Sequence, residues 1–207
     1  WTREIVQNEL HITHNFWPVD WDADGTDEIL LASLEGVFLF KKSADRWVPR
    51  KLADGDPEKR GAGEIKVGRL PGGKRYLATV EPWHGHQAVI YTEPESPESL
   101  WKRRVLVERH KGGHALWTAD LTGTGVDSLV VGFRGIPEGK KEECVVYVFH
   151  PLDETGERWE KMVLDEKGLG CEDALVIDLN ADGRPDVVGI GRSTRNVKIY
   201  WNEGRKE

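Results

Sequence analysis

The sequence predicts an all-β fold assembled from repeated units of four antiparallel strands, and three observations carry that prediction. An acidic, glycine-containing loop recurs after an apolar strand, as Asp20-Trp-Asp22-Ala-Asp24-Gly25, Asp120-Leu-Thr122-Gly-Thr124-Gly125 and Asp178-Leu-Asn180-Ala-Asp182-Gly183. A second apolar run follows each loop: Ile29-Leu-Leu-Ala32, Leu129-Val-Val-Gly132 and Val187-Val-Gly-Ile190. A third motif, a Trp leading into mixed charged and aliphatic residues, appears as Trp1-Thr-Arg-Glu-Ile-Val6, Trp47-Val-Pro-Arg-Lys-Leu52, Trp101-Lys-Arg-Arg-Val-Leu106 and Trp159-Glu-Lys-Met-Val-Leu164. Together they set a period of roughly 50 residues, and self-similarity at such a period overrides local readings.

The first unit, about 14–53, places strands at about 15–20, 28–33 and 36–41, with the Trp47 motif outermost. The second, about 62–107, has strands at about 64–69, 75–81 and 87–92; its acidic loop has decayed to Val67-Gly-Arg-Leu-Pro-Gly-Gly73. The third, about 113–165, has strands at about 114–120, 128–134 and 144–149 before the Trp159 motif. The fourth, about 172–202, has strands at about 173–178, 186–191 and 196–201 and no outer motif of its own. Inner strands are apolar without alternation, as strands buried on both faces are. The charged outer strands are protected against edge pairing. The Trp1 motif is displaced by one strand, so residues 1–8 are expected to complete the last unit. That arrangement closes a single-domain ring, a β-propeller of four four-stranded blades. A segment of a larger ring is the alternative, and both a monomer and a ring-completing homo-oligomer are consistent with the strand count.

At 207 residues the chain can bury a sizeable core, and nine tryptophans with one methionine suit rigid all-β packing. A net charge of -7 argues against nucleic acid as a partner. No apolar run reaches the roughly 18 residues of a membrane span. The start at Trp1 and the absence of a visible leader read as a mature chain, with an extracellular or periplasmic location expected. Cys144 and Cys171 imply neither a disulfide framework nor a metal site.

Side-chain oxygens at alternate positions of a tight loop converge, and a hard cation satisfies such a set, calcium first and magnesium second. In the first blade the ligands would be Asp20, Asp22, Asp24 and Glu28 with the carbonyl of Thr26; in the fourth, Asp178, Asn180, Asp182 and Asp186 with the carbonyl of Arg184. The third copy has Ser128 where the last acid belongs and the second copy has no acid, so both are expected to bind poorly or not at all. The bland reading is that Asp and Gly simply make good turns. A cation here is structural either way, because these loops lie at the bottom of each blade.

Six positions before Asp20, Asp120 and Asp178 stand His14, His114 and Glu172, at the opposite, top mouth of the central channel. Asn15 and Asp173 follow them, and the loops between second and third strands add Glu35, Glu81, Trp83, His84, His86, Arg134, Arg192 and Arg195. Crossovers bring His11, His110, Lys59 and Arg60 to the same side, and of seven histidines His150 alone maps to the bottom. A single histidine at a strand end is commonly structural, but the group points to proton transfer near neutral pH. His84 or His86 is the candidate base, with His14 and His114 as acid or orienting groups. Arg134 and Arg192 would grip a substrate anion, Trp83 would stack on a sugar ring, and Glu64 and Asp173 complete the substrate-binding set. The histidines could instead hold zinc. No serine nucleophile elbow, phosphate loop or dinucleotide fingerprint is present.

The Asp-x-Asp-x-Asp-Gly loops between apolar strands resemble the FG-GAP/VCBS repeats of β-propellers. Asn15-Phe-Trp-Pro-Val-Asp20, Gly61-Ala-Gly-Glu-Ile-Lys66 and Glu81-Pro-Trp-His-Gly-His86 are similar to the propeller of fungal aldos-2-ulose dehydratases and related sugar-processing propellers. That resemblance implies a sugar or uronate substrate and a lyase or dehydratase reaction, proton abstraction followed by β-elimination. The competing expectation is a non-catalytic propeller that binds a glycan or a protein, which fold alone does not separate.

Overall fold

The computed structural model describes residues 1–59, 61–135 and 143–204; Arg60 lies outside them. The described residues form fifteen strands in four antiparallel sheets. Blade 1 runs β1 (Asn15–Val19), β2 (Glu28–Ser33), β3 (Gly36–Ser43), β4 (Arg46–Ala53); blade 2 runs β5 (Lys66–Arg69), β6 (Arg75–Glu81), β7 (Gln87–Thr92), β8 (Lys102–Val107). Blade 3 is β9 (Gly113–Ala119), β10 (Ser128–Phe133), β11 (Val145–Pro151) and β12 (Trp159–Glu166), and blade 4 is β13 (Cys171–Ile177), β14 (Asp186–Gly191) and β15 (Asn196–Tyr200). Each sheet is a meander in chain order. In blades 1 to 3 the register between third and outer strands slips at equivalent places, after Val37, Ala88 and Val146. A slip at the same place in three successive blades is what a repeated unit produces.

Alternation along the strands sends one face of each sheet to the preceding blade and the other to the following blade. Leu30, Ala32 and Leu39 of blade 1 pack with Ile65, Leu77 and Tyr91 of blade 2. Ala78, Val80 and Ile90 of blade 2 pack with Leu116, Val131 and Phe133 of blade 3. Ala115, Val130 and Val146 of blade 3 pack with Cys171, Ala174 and Val176 of blade 4. The last contact is close because Gly132 has no side chain; a Cβ there would sit 2.5 Å from the Cys171 sulfur.

Closure of a four-bladed ring by the N-terminal strand is not what the structure has. Residues 1–8 form no strand, and the last sheet keeps three strands. The reason is geometric: a strand leading into β1 can reach β15 only if blade 1 lies beside blade 4. Hydrophobic clusters join blades 1 to 2, 2 to 3 and 3 to 4, and among the described residues none joins 4 to 1. The four blades form an open row.

The acidic loops share one hydrogen-bonding plan. Asp20 accepts from the amides of Asp24 and Gly25, Asp120 from Thr124 and Gly125, and Asp178 from Asp182 and Gly183. Gly25, Gly125 and Gly183 all turn through positive φ, +86°, +79° and +84°, which glycine adopts without a steric penalty. The first aspartate thus ties each loop to itself.

Candidate functional site

Three histidines meet where the inner strands of blades 1 and 3 approach the loop after β6. His14 precedes β1, His114 lies in β9, and His84 comes from the β6–β7 loop. Their ligand nitrogens all lie within 4.8 Å of one another. Ring centroids are 4.3 Å apart for His14 and His84, 4.4 Å for His84 and His114, and 5.9 Å for His14 and His114.

The loop that carries His84 is shaped by its backbone. It passes through a cis Glu81–Pro82 bond, and Trp83 sits at φ +51°. Gly63 lets it dock, since a Cβ there would be 2.1 Å from the Trp83 carbonyl oxygen. Beneath it Glu81, fully buried, accepts from Thr79, Tyr91 and Arg103 at 2.5 to 2.9 Å. Glu81 is therefore a structural anchor of the loop rather than part of the open mouth.

The hydrogen bonds set the tautomers. His14 Nδ1 is 2.7 Å from the Gly63 carbonyl and must donate to it, leaving Nε2 as a lone pair facing His84. His84 Nδ1 accepts from the Arg134 guanidinium at 3.1 Å, so the neutral ring carries its proton on Nε2 and donates it to His14 Nε2. Burial, with His114, His14 and Arg134 nearby, pushes the His84 pKa down to about 4. Burial also lowers His114. His84 and His114 are thus held as neutral, directional imidazoles.

The carboxylates behind it differ. Arg134 donates to both oxygens of Glu172, at 2.9 and 2.8 Å, and Arg192 lies 3.6 Å from the same group. This overrides the upward push of Glu172's partial burial and holds its carboxyl below the ordinary range. Glu64 is buried 3.5 Å from His14 Nδ1 and accepts from Asn15 at 2.5 Å. Burial drives its pKa up to about 8, with Lys66 opposing and Asp173 adding to the rise. Lys66 is itself buried between the Trp17 and Trp117 rings, 4.6 and 5.5 Å from their centroids, and burial lowers its pKa. Sequence reasoning missed this lysine; a lone Lys in the short inner strand β5 was its only signal.

Trp83 lies beside the cluster, partly exposed, 5.7 Å from His14 and 6.2 Å from His84. Asp173 is exposed, with Oδ1 accepting from the neighbouring Ala174 amide. His86 goes elsewhere: with Asp56, Lys59, Gln87 and Arg103 it lines a separate cavity of about 170 Å3. His11 pairs with Glu35 at 2.8 Å, His110 with Tyr147 at 2.7 Å, and His150 with Ser128 at 3.0 Å.

At the opposite end, the Lys41 ammonium reaches into the first acidic loop, contacting Asp22, Asp24 and Glu28. In the fourth loop Arg184 donates to Asp182 at 2.6 Å, Asn180 bonds the same carboxylate, and Asp186 accepts from Leu179 and Asn202. Thr26 and Arg184 donate their amides to Asp24 and Asp182. A protein cation therefore already stands among the carboxylates of the first and fourth loops.

Comparison with known proteins supports the sugar-processing resemblance. Residues 1–94 match the β-propeller domain model of aldos-2-ulose dehydratase. The chain is 28% identical over 192 residues to aldos-2-ulose dehydratase of Phanerodontia chrysosporium, covering 82% of this chain and 21% of that enzyme. It thus spans about a fifth of the length of that curated relative. A solved Agrocybe aegerita lectin, studied for its recognition of non-reducing terminal N-acetylglucosamine, superposes with a TM-score of 0.57 over 93% of this chain and 50% of the lectin. At 16% identity that likeness concerns the fold alone. The chain is a β-propeller-type all-β protein, similar to the dehydratase propeller in sequence. No helix among the described residues is long and apolar enough to cross a membrane.

Proposed function

We propose that the histidine mouth removes water from a keto sugar by proton abstraction beside the carbonyl and β-elimination. The observation that carries this reading is the ordered tautomer chain, Arg134 to His84 to His14 to the Gly63 carbonyl. His14 Nε2 is the base. It takes the proton from the carbon next to the carbonyl when substrate displaces its contact with His84. His84 stays neutral and turns its Nε2–H to the carbonyl oxygen, where negative charge develops. The C–O bond of the neighbouring hydroxyl then breaks, a C=C bond forms, and the proton on His14 leaves with the hydroxyl as water. Glu64 acts through His14, its carboxyl beside Nδ1. Trp83 offers a stacking face. Because Arg134 is already engaged by Glu172, a neutral keto sugar suits the mouth better than a uronate. The name of the similar fungal enzyme agrees with this substrate class.

The test is the ultraviolet absorbance of an unsaturated product when the protein meets aldos-2-uloses. Product formation that disappears in His14→Ala and His84→Ala supports the proposal. Binding of saccharide with no product in the unmodified protein overturns it in favour of a lectin-like role.

The convergence of three imidazoles favours one second reading, a zinc-type cation held by His14, His84 and His114. That requires the His84 proton to move to Nδ1 and Arg134 to withdraw its bond from that ring. Stoichiometric zinc in the purified protein, with its loss abolishing turnover, would replace the base reading by this one. We further infer that calcium, or magnesium second, competes with Lys41 for Asp20, Asp22, Asp24 and Glu28 as a structural ion.

A further inference from the structure

We propose that the cavity beside His86 is a saccharide site of its own, taking one neutral sugar ring on Asp56, Lys59, Gln87 and Arg103. It rests on the cavity's own residues and is independent of the catalytic reading of the histidine mouth.

Both walls of the cavity are fixed by the protein itself. One is the segment between β4 and β5, where Gly55 and Gly61 pair in a parallel bridge at φ +80° and +91°. A Cβ on Gly55 would lie 2.8 Å from the Gly61 carbonyl carbon, so the bridge needs glycine there. The Asp56 amide donates to the Gly61 carbonyl at 3.2 Å, and Asp56 Oδ1 accepts from the Glu58 and Lys59 amides at 3.0 and 2.7 Å. The other wall is Arg103 of β8. It donates to Glu81 at 2.7 and 2.9 Å and to Gln87 at 2.6 Å, the cross-strand pair from which the β6–β7 loop springs. Groups fixed in advance lose little freedom when a ligand binds.

Between the walls a polar gap is left. Asp56 is buried, yet its Oδ2 stands 4.0 Å from Arg103 Nη2, beyond hydrogen-bond length. A hydroxyl oxygen about 2.8 Å from both closes that gap, because it accepts from the guanidinium and donates to the carboxylate at once. Gln87 gives its oxygen to Arg103 and keeps its NH2 group to donate. The Lys59 ammonium adds a donor and the Glu58 carboxylate an acceptor. A ligand that matches this set needs several groups that both donate and accept, as sugar hydroxyls do.

Other chemical classes fit less well. An anion meets the Asp56 and Glu58 carboxylates, while the charge of Arg103 is already offset by Glu81. A metal ion meets the positive charges of Lys59 and Arg103. An apolar molecule finds only Pro57 among the described lining residues. The volume is about 170 Å3. That is the space of about five or six waters at roughly 30 Å3 each, enough for one sugar ring and too little for two.

His86, half-buried in the wall, has no hydrogen-bond partner among the described residues, so its ring signals report on whatever fills the cavity. Proton–carbon NMR spectra of the histidine rings, titrated with D-glucose, D-xylose and D-fructose to about 0.1 M, test the proposal. At least one of these sugars should shift His86 saturably at millimolar concentration. Asp56→Asn keeps the Oδ1 cap and replaces the facing acceptor by a donor. It should raise the midpoint ~10-fold or more, the worth of one hydrogen bond to a charged group. If none of the three sugars moves His86 saturably, the proposal is overturned. Shifts confined to His14, His84 and His114 overturn it too, since they put the sugar at the mouth alone. A His86 shift produced by inorganic phosphate but by no sugar makes the cavity an anion site instead. An unchanged midpoint in folded Asp56→Asn also sinks the proposal, and should that variant not fold, the shifts of the unmodified protein decide by themselves.

Discussion

At the scale of single residues, the candidate site depends on which groups are neutral. Removing the proton acceptor in His14→Ala is expected to lower kcat by ~10²- to 10⁴-fold, the usual worth of a positioned base, with KM changed far less. His86→Ala should leave turnover unchanged, since His86 lines a different cavity. His84 and His86 are separated by one residue in sequence, and only the turn at Trp83 and Gly85 parts them. Glu64 gives a prediction for stability. Its folded pKa of about 8 is raised above the ordinary carboxyl value. The folded state therefore keeps a proton that the unfolded state loses, and Glu64's contribution falls as pH rises from the ordinary carboxyl range towards 8. Each unit of separation is worth roughly 1.4 kcal/mol. Urea unfolding across that interval should show Glu64→Gln losing less stability with rising pH than the unmodified protein.

At the scale of the element, the β6–β7 loop and the acidic loops behave differently under substitution. Gly63→Ala puts a methyl group against the backbone of Trp83, an overpacking that costs about 1–3 kcal/mol. Denaturant unfolding should register that loss, and dehydratase turnover should fall with it because His84 is displaced. In the first acidic loop the ammonium of Lys41 stands among three carboxylates. Lys41→Met should therefore increase the rise in Tm on adding calcium, and chelator should lower the Tm of that variant more than that of the unmodified protein. Most of the elements were legible in the sequence to within one or two residues, because inner strands, acidic loops and Trp motifs repeat in phase. What was not legible is Lys41's place: a lysine at the end of β3 carries no pattern that points across to a loop some twenty residues earlier.

At the scale of the whole molecule, successive blades share the hydrophobic clusters, and the inner strands of blades 1 and 3 also meet, with Trp17 edge-on to Trp117 at 5.2 Å. Blades 2 and 3 are covered on both faces and blade 4 on one. Hydrogen exchange should find β6, β7, β10 and β11 most protected and β15 least, since local opening follows buried contact. Equal protection in all four blades would count against the open row. The strand count alone predicts a closed ring, because a displaced outer strand always leaves one vacancy and one surplus. It does not say whether blade 1 meets blade 4; that depends on the angle between successive blades, which no strand pattern encodes.

The sequence by itself determined the repeated blade, the order of its strands and the side on which the histidines gather, because these follow from periodicity and chain connectivity. Tertiary structure alone decided that His14, His84 and His114 converge while His86 departs, that Arg134 faces Glu172 and His84, and that Lys41 fills the first acidic loop. Those outcomes turn on side-chain directions and on contacts between residues well separated along the chain. The acidic loops that mark each blade most clearly in the sequence thus hold the frame, and the chemistry lies at the other mouth.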